Sequence, residues 1–512
     1  MNSLSIQKKD WALLALLMLA GLFVRSAFLA KVKVVLPDEA FYIRFAEHLA
    51  GGRGFGEFET FSVRKNGQPL VPYLFAGALR AARDLPAIPL CEGLSALFGV
   101  LSLIPFYFTA RRLGDTEEAA WSGFLYAFAP FTLGYSLWAM QHSFFNFFLL
   151  CSLGFILKTQ SSLRPLHALS AGFMLCLAYM TRVEGIIFGA ALAAAGFFLP
   201  WTGGTSHGRR IFLTLCFCAG LVLPSIPFWI WVKQGIGSWQ ITWTNRDWSS
   251  AGIFFDQWGG LSNGTGFSLR AFLWGYAQKL ENVHSLLPRV LPILCWVLIA
   301  FGAAGILDRD PAMKRPVLTI FFFAGFPLFF YPLYGSNDLR YYSPAIVFFL
   351  LFSGAGLALM RHKVFEIFRL RVPRAVFFFA GLLLFLPGYA SQLVTFKEEP
   401  LEQKAMGEWI RGHVETPQIL FSSDRRACFY AGPKCLKVIP VQKGAAFLAG
   451  GGTFEDFLRQ SKIRLIAADT RYILKYNPQF AFLLRTLPAA YHKKAELTRD
   501  HETITLYEWA EI

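Results

Sequence analysis

The sequence predicts an all-α polytopic membrane protein that carries a small extracytoplasmic α/β domain at its C-terminal end. Three observations lead to this class. Of its 512 residues 55% are hydrophobic and 16% charged, with mean hydropathy +0.43, whereas soluble domains are about a quarter charged. Apolar runs of roughly 20 residues, the length that crosses a bilayer core as a helix, recur as far as residue 391. From about residue 400 the pattern changes to short strands and amphipathic helices.

The first run, WALLALLMLAGLFVRSAFLA at 11–30, follows Lys8 and Lys9. It is too long for a signal-peptide core and lacks a small-residue cleavage site, so it is expected to stay as an anchor. Further spans are expected near 87–110, 118–137, 142–158, 166–182, 184–200, 211–233, 287–307, 317–334, 343–360 and 375–391, about eleven in all. The membrane domain is then 1–391, with a first outer loop at 31–86, and the soluble domain is 392–512.

The chain has 49 Lys and Arg against 33 Asp and Glu, a net charge of +16. In a soluble protein this excess would suggest a nucleic-acid partner. Here the basic residues collect in alternate loops: Lys8 and Lys9, Arg111 and Arg112, Lys158 and Arg164, Arg209 and Arg210, Arg309 with Lys314 and Arg315, then Arg361, Lys363, Arg369, Arg371 and Arg374. The positive-inside rule makes that set cytoplasmic, so 31–86, 234–286 and the tail lie on the outer face.

In the tail, KIRLIAADT and ETITLYEW read as strands, and LEQKAMGEWIRGHV and TFEDFLRQS have helical apolar spacing. CFYAGPKC holds the two cysteines of this domain, Cys428 and Cys435. Outside the cytoplasm these residues fit a short-range disulfide or a pair of thiols. The other six cysteines fall in or beside apolar spans, where cysteine acts as a small apolar residue.

The outer loop begins with LPDEAFYIRFAEHLAGGRG. Phe41, Phe45, Ala46 and Leu49 share one helical face, opposite Arg44, Glu47 and His48. A helix on the outer membrane surface is expected, stopped by Gly51 and Gly52. Asp38 stands where an N-cap would accept backbone N–H bonds. GGRGFGEF lacks the strand and the Lys-Ser/Thr of a phosphate loop and reads as a turn. Arg64 and Lys65 follow in the same loop, and cations near an acid suit a phosphorylated substrate. Two more charged sets lie at outer helix ends: Arg182 and Glu184 in YMTRVEG, and Asp338, Arg340 and Tyr341 in YGSNDLRYYSP. Charges at helix ends are often merely interfacial. Several sets on one face also fit a bound anion, because each charge must be offset there.

The Asp-Glu pair after the first span, GQPLVPYLFAGAL, FYFTARRLGDTEEAAWSGFLYAFAPFTLGYS, YMTRVEGIIF and NDLRYYSPAIVFFLL together resemble the GT-C membrane glycosyltransferases that use polyprenyl-phosphate sugars. Among these, the chain is most similar to the bacterial relatives of protein O-mannosyltransferases and to the lipid A aminoarabinose transferase. The resemblance covers roughly 10–360, and the tail fits the small periplasmic domain of such proteins. It implies a multi-pass enzyme of the bacterial inner membrane, with its N-terminus cytoplasmic. That enzyme would transfer a sugar, with inversion, from a lipid-linked donor to a hydroxyl of a lipid, glycan or protein. Asp38 would be the general base. Lys65, Arg64, Arg182 and Arg340 would be cations for the leaving phosphate. Glu39, Glu184, Asp338 and Tyr341 complete the candidate substrate contacts.

Neighbouring residues on a helix point apart, so Asp38 and Glu39 are not the carboxylate pair of a retaining glycosidase. The sequence departs from the family at WAMQHSFF, where some members have an acid and this chain has Gln141 and His142. It departs again at Gln68-Pro69-Leu70, where aminoarabinose transferases have a Lys-Pro-Pro segment. The Trp-Trp-Asp motif of the metal-dependent oligosaccharyltransferases is absent, so neither a metal nor another cofactor is expected. A secondary transporter and a non-catalytic envelope-assembly protein are the alternatives. The first would need internal repeats and midplane charges that the sequence does not display.

Overall fold

The computed structural model describes residues 7–32, 34–54, 68–198, 206–236, 293–333, 342–368, 401–422, 424–440, 450–469, 490–499 and 502–509, together with a few isolated positions; the side chains of 192–198, 235–236, 293–294, 326–333, 367–368, 440, 499 and 502 are excepted. The chain divides into two compact units. The first comprises Met1–Ala30, Asn66–Val71 and Glu92–Leu393, and the second Lys31–Lys65, Pro72–Cys91 and Val394–Ile512. The outer segment assigned from sequence to the membrane domain thus groups largely with the tail.

The first unit is helical. It contains α1 (Lys8–Leu29), most of α4 (Ala87–Leu101), α5 (Leu103–Leu113), α6 (Thr116–Phe128), α7 (Pro130–Leu137), α8 (His142–Ser162), α9 (Pro165–Thr181), α10 (Glu184–Phe198), α11 (His207–Val222) and α12 (Ile226–Ile236). The helices Ile293–Arg309, Lys314–Leu333, Ser343–Leu350 and Ser353–Phe368 follow. Among the described residues, Lys8–Leu29, Ala87–Leu113, His142–Ser162 and His207–Gln234 are long and apolar enough to cross a membrane. The pair Ser343–Leu350 and Ser353–Glu366, bent by 43°, would make a fifth such stretch. The described residues of the predicted spans near 166–182, 184–200, 287–307 and 317–334 each fall on one helix, whereas 118–137 divides between α6 and α7. The last predicted span, 375–391, lies almost wholly outside the described residues.

Local chemistry sets these boundaries. At the start of α6 the Asp115 carboxylate accepts the Glu118 N–H (2.8 Å) and the Glu118 carboxylate accepts the Asp115 N–H (3.2 Å). This reciprocal cap satisfies N–H groups that a helix start leaves open. Pro130 then opens α7 and has no N–H to continue the ladder. The carbonyls exposed at this break are used: Thr132 Oγ1 donates to Tyr126 and Ala129, and the guanidinium of Arg25 donates to Ala127 (3.2 Å). Arg25 also donates to Ser136 Oγ (2.8 Å), so this fully buried cation ties α1 to both sides of the break.

Helices α9 and α11 meet through glycine. A methyl at Gly172 would lie 2.0 Å from the Phe217 carbonyl oxygen, and one at Gly220 would lie 2.2 Å from that of Leu169. Small residues permit this backbone approach, and packing replaces the hydrophobic drive that lipid removes. At the opposite helix ends from Arg182, buried Asp10 accepts from Thr116 Oγ1 (2.8 Å), Arg111 Nε (3.1 Å) and the Tyr107 hydroxyl (3.1 Å). Arg309 pairs with Glu118 and Arg361 with Glu117 nearby. The sequence reading takes this end as cytoplasmic.

The second unit contains a five-stranded mixed sheet: β1 (Gln418–Ser422), β2 (Cys435–Pro440), β3 (Leu465–Asp469), β4 (Tyr491–Arg499) and β5 (Glu502–Trp509). The strand order is β2-β1-β3-β5-β4. β1 pairs in parallel with β2 and β3, whereas β5 runs antiparallel to β3 and β4. Phe421, Phe454, Phe457, Ile466 and Tyr491 are among the residues of its apolar core. The same unit includes α2 (Pro37–Ala50) and most of α3 (Leu70–Ala81), and Arg80 of α3 donates to the Leu49 (2.6 Å) and Ala50 (3.1 Å) carbonyls at the end of α2. A guanidinium on those last carbonyls complements the negative end of the helix. Cys428 and Cys435 form a disulfide with their Cα atoms 5.2 Å apart.

Candidate functional site

In the second unit, Pro37 favours an extended Leu36 and opens α2 as its first helical residue. The cap differs from the sequence expectation. Leu36, not Asp38, is the N-cap residue, and Glu39 accepts the Leu36 N–H at 3.0 Å. The glutamate has the reach for this backward bond from the third helical position. It is completely buried, while Asp38, one position earlier, is partly exposed. The two neighbouring carboxylates thus have different surroundings.

The amphipathic helix expected over this stretch is α2 (Pro37–Ala50). Eight of its fourteen residues are buried, among them Tyr42 and Ile43, outside the face that the sequence spacing selected. Arg44 of the same helix reaches the Phe429 carbonyl (2.9 Å), with its guanidinium 5.4 Å from the centre of the Phe429 ring.

In the first unit, YMTRVEG forms a tight break between α9 and α10. The Arg182 backbone is extended, its N–H donates to Ala178, and its carbonyl accepts from Gly185. A methyl at Gly185 would lie 2.4 Å from the Tyr179 nitrogen, so glycine lets α10 turn over the last turn of α9. The break brings Arg182 and Glu184 together as a buried fork: Nη2 to Oε1 at 2.9 Å and Nε to Oε2 at 3.3 Å. Arg182 Nη1 lies 2.9 Å from His142 Nδ1. A guanidinium only donates, so Nδ1 accepts and the imidazole proton resides on Nε2. Tyr135 packs against the same imidazole, with ring centres 4.9 Å apart. One turn back on α9, the Tyr179 hydroxyl accepts from Trp229 Nε1 (2.7 Å) and bonds to the buried Gln68 side chain.

Arg182 and Glu184 are therefore brought together, and His142 joins them. Arg64, Lys65, Asp338, Arg340 and Tyr341 lie outside the described residues. Sequence reasoning named Gln68, Gln141 and His142 only as departures from a family pattern. Their signal was a polar residue beside an apolar run. Tyr179 and Trp229 had no such signal, because aromatic residues at membrane ends are common. Among the described residues, no group of three or more His, Cys, Asp or Glu side chains forms a metal-binding cluster.

With this geometry in view, residues 69–231 match the family model described as dolichyl-phosphate-mannose-protein mannosyltransferase. That stretch contains Tyr179, Arg182, Glu184 and His142. No curated protein matches the sequence. The fold is similar to that of ArnT from Cupriavidus metallidurans bound to undecaprenyl phosphate: TM-score 0.59, 14% identity, 98% of each chain covered. It is also similar to the Archaeoglobus fulgidus oligosaccharyltransferase in the apo form, with TM-score 0.58 and 16% identity over 90% of this chain and 70% of that one. The same archaeal enzyme, AglB, in complex with an inhibitory peptide and a dolichol-phosphate gives TM-score 0.56 and 16% identity, covering 89% and 69%. The chain is a membrane protein with the GT-C fold of membrane glycosyltransferases.

Proposed function

We propose that this chain is an inverting membrane glycosyltransferase that moves a sugar from a polyprenyl-phosphate donor to an acceptor hydroxyl at the outer face of a bacterial inner membrane. The observation that carries the reading is the likeness to ArnT over 98% of both chains, because that structure holds undecaprenyl phosphate. The arrangement of α2 supports the choice of base. Glu39 is committed to the backbone of the first turn, and Asp38 is the partly exposed carboxylate beside it.

In this reaction the acceptor oxygen attacks the anomeric carbon while its proton passes to the Asp38 carboxylate. The bond from that carbon to the phosphate oxygen breaks, and polyprenyl phosphate departs with the bonding pair. One base and an inversion suffice, with no second carboxylate as nucleophile. The departing phosphate needs cations in a dry setting. Arg182 is one, already shared with Glu184, so its net contribution is limited by that carboxylate. Arg64, Lys65 and Arg340 are proposed to supply the remaining charge, with Asp338 and Tyr341 contacting the substrate. The acceptor is a lipid, glycan or protein hydroxyl, and no metal or other cofactor is assigned.

Mass spectrometry of glycolipids and glycoproteins from cells with and without the chain tests the reading. A sugar present only with the chain, and dependent on a polyprenyl-phosphate donor, supports it. Unchanged glycans together with inert donors in isolated membranes contradict it.

A further inference from the structure

We propose that the disulfide-closed loop of the soluble domain is the positioning device for α2, with Tyr430 and Arg44 as its positioning residues. The inference rests on the assignment of Asp38 as base.

Within this disulfide-closed loop, Arg426–Ala431 is a short α-helix and Gly432–Lys434 a 3-10 turn, and several contacts stiffen it. At its start the buried Asp424 carboxylate accepts both the backbone N–H of Arg426 (2.8 Å) and its Nε (3.0 Å). The Cys428–Cys435 bond closes its far end. Between them Gly432 turns the chain at φ 64°, a left-handed conformation that disfavours other residues. From behind, the helix Leu401–His413 presses on the loop at Gly407, where a methyl would lie 2.4 Å from the Ala427 oxygen and 2.5 Å from Tyr430 Cβ. Lys404 of that helix lies 5.7 Å from the centre of the Tyr430 ring.

This braced loop grips α2 on both sides of Asp38. The Val35 N–H, three residues before Asp38, donates to the Tyr430 hydroxyl oxygen at 2.9 Å in a buried setting. Arg44, six residues after Asp38 and about 9 Å along the helix, donates to the Phe429 carbonyl at 2.9 Å. Arg44 is held in turn by Glu47 at 3.0 Å. Two adjacent residues, Phe429 and Tyr430, thus hold the entry and the third turn of the helix that carries the base. A displacement of about 1 Å in a catalytic group costs as much as a hundredfold in rate. A grip of this kind should therefore appear in turnover before it appears in binding.

The test uses full-length protein in lipid nanodiscs, with the undecaprenyl-phosphate sugar that the wild type consumes. Tyr430→Phe and Arg44→Met are each expected to lower kcat about tenfold, with KM for the donor within about twofold. Amide exchange across 37–50 should quicken, while exchange in β3 and β5 stays at the wild-type rate. Arg44→Lys, which can still donate to Phe429, should recover most of kcat. Wild-type kcat in both Tyr430→Phe and Arg44→Met overturns the inference, as does a loss that follows general unfolding of the sheet. Asp38→Asn, measured alongside, separates the two claims. If it is inactive while the positioning variants are normal, only the positioning role fails. If it is fully active, the base assignment fails and the positioning role with it.

Discussion

Removing Glu184 should reveal how the break between α9 and α10 is held. Arg182 and Glu184 are 5% and 9% exposed at their side chains, and two donor contacts at 2.9 and 3.3 Å join them. Glu184→Ala would take the carboxylate from the buried guanidinium and leave His142 Nδ1 beside it. Breaking a buried pair from one side costs about 3–5 kcal/mol. Glu184→Gln keeps one carbonyl acceptor but loses the charge, so it should fall between Glu184→Ala and the wild type. Arg182→Met with Glu184→Leu removes both charges and replaces them with apolar bulk. This double variant should lie within about 2 kcal/mol of the wild type, because apolar replacement of a buried pair is often close to neutral. Reversible unfolding in mixed micelles, arranged as a double-mutant cycle, measures the coupling. Single variants that each cost under about 1 kcal/mol, or costs that simply add, would refute the reasoning.

Other expectations follow from separate parts of the chain. Reducing the Cys428–Cys435 bond, with its sequence separation of 7, should lower stability by roughly 2.5 kcal/mol through loop entropy; differential scanning calorimetry with and without reductant measures this. Gly220→Leu should cost at least about 1–3 kcal/mol by overpacking, since even a methyl meets the Leu169 oxygen at 2.2 Å, and unfolding in mixed micelles reads the loss. Tyr491 gives a pH dependence: burial raises its hydroxyl above the ordinary 10.0, and the group donates to the Ile463 carbonyl. The neutral phenol is therefore favoured in the folded domain. Its stabilisation is full below pH 10.0 and is lost as pH rises from there through the folded value. Tyr491→Phe should remove that alkaline slope in pH-dependent melting curves, and an unchanged slope would assign it to another group.

Much of the architecture was legible because lipid imposes a simple rule. A helix facing hydrocarbon must be apolar for its full length, so WALLALLMLAGLFVRSAFLA reads directly as α1. The break at Ala129–Pro130 was harder to see, because a carbonyl from α6 is satisfied by Arg25, more than a hundred residues away. In the soluble domain β3 and β5 carried recognisable apolar spacing. β4, YHKKAELTR, did not, since its charged side chains are largely on the exposed face of an edge strand. At the candidate site, the Asp-Glu pair and the Arg-Glu break were visible as charges beside apolar runs. Which acid of the pair caps α2 was not, because a bond from Glu39 back to Leu36 depends on where the first helical turn begins. Tyr430 and Arg44 were hidden for another reason: their bonds, to Val35 and to Phe429, each join positions nearly four hundred residues apart.

The assignment of Asp38 as base is tested most directly by Asp38→Asn in native membranes, supplied in turn with labelled undecaprenyl-phosphate sugars. The account predicts a drop in transfer of about 10²–10⁴-fold for the sugar that the wild type uses, with the melting temperature and the Cys428–Cys435 bond unchanged. Transfer at the wild-type rate by a folded Asp38→Asn protein would contradict it.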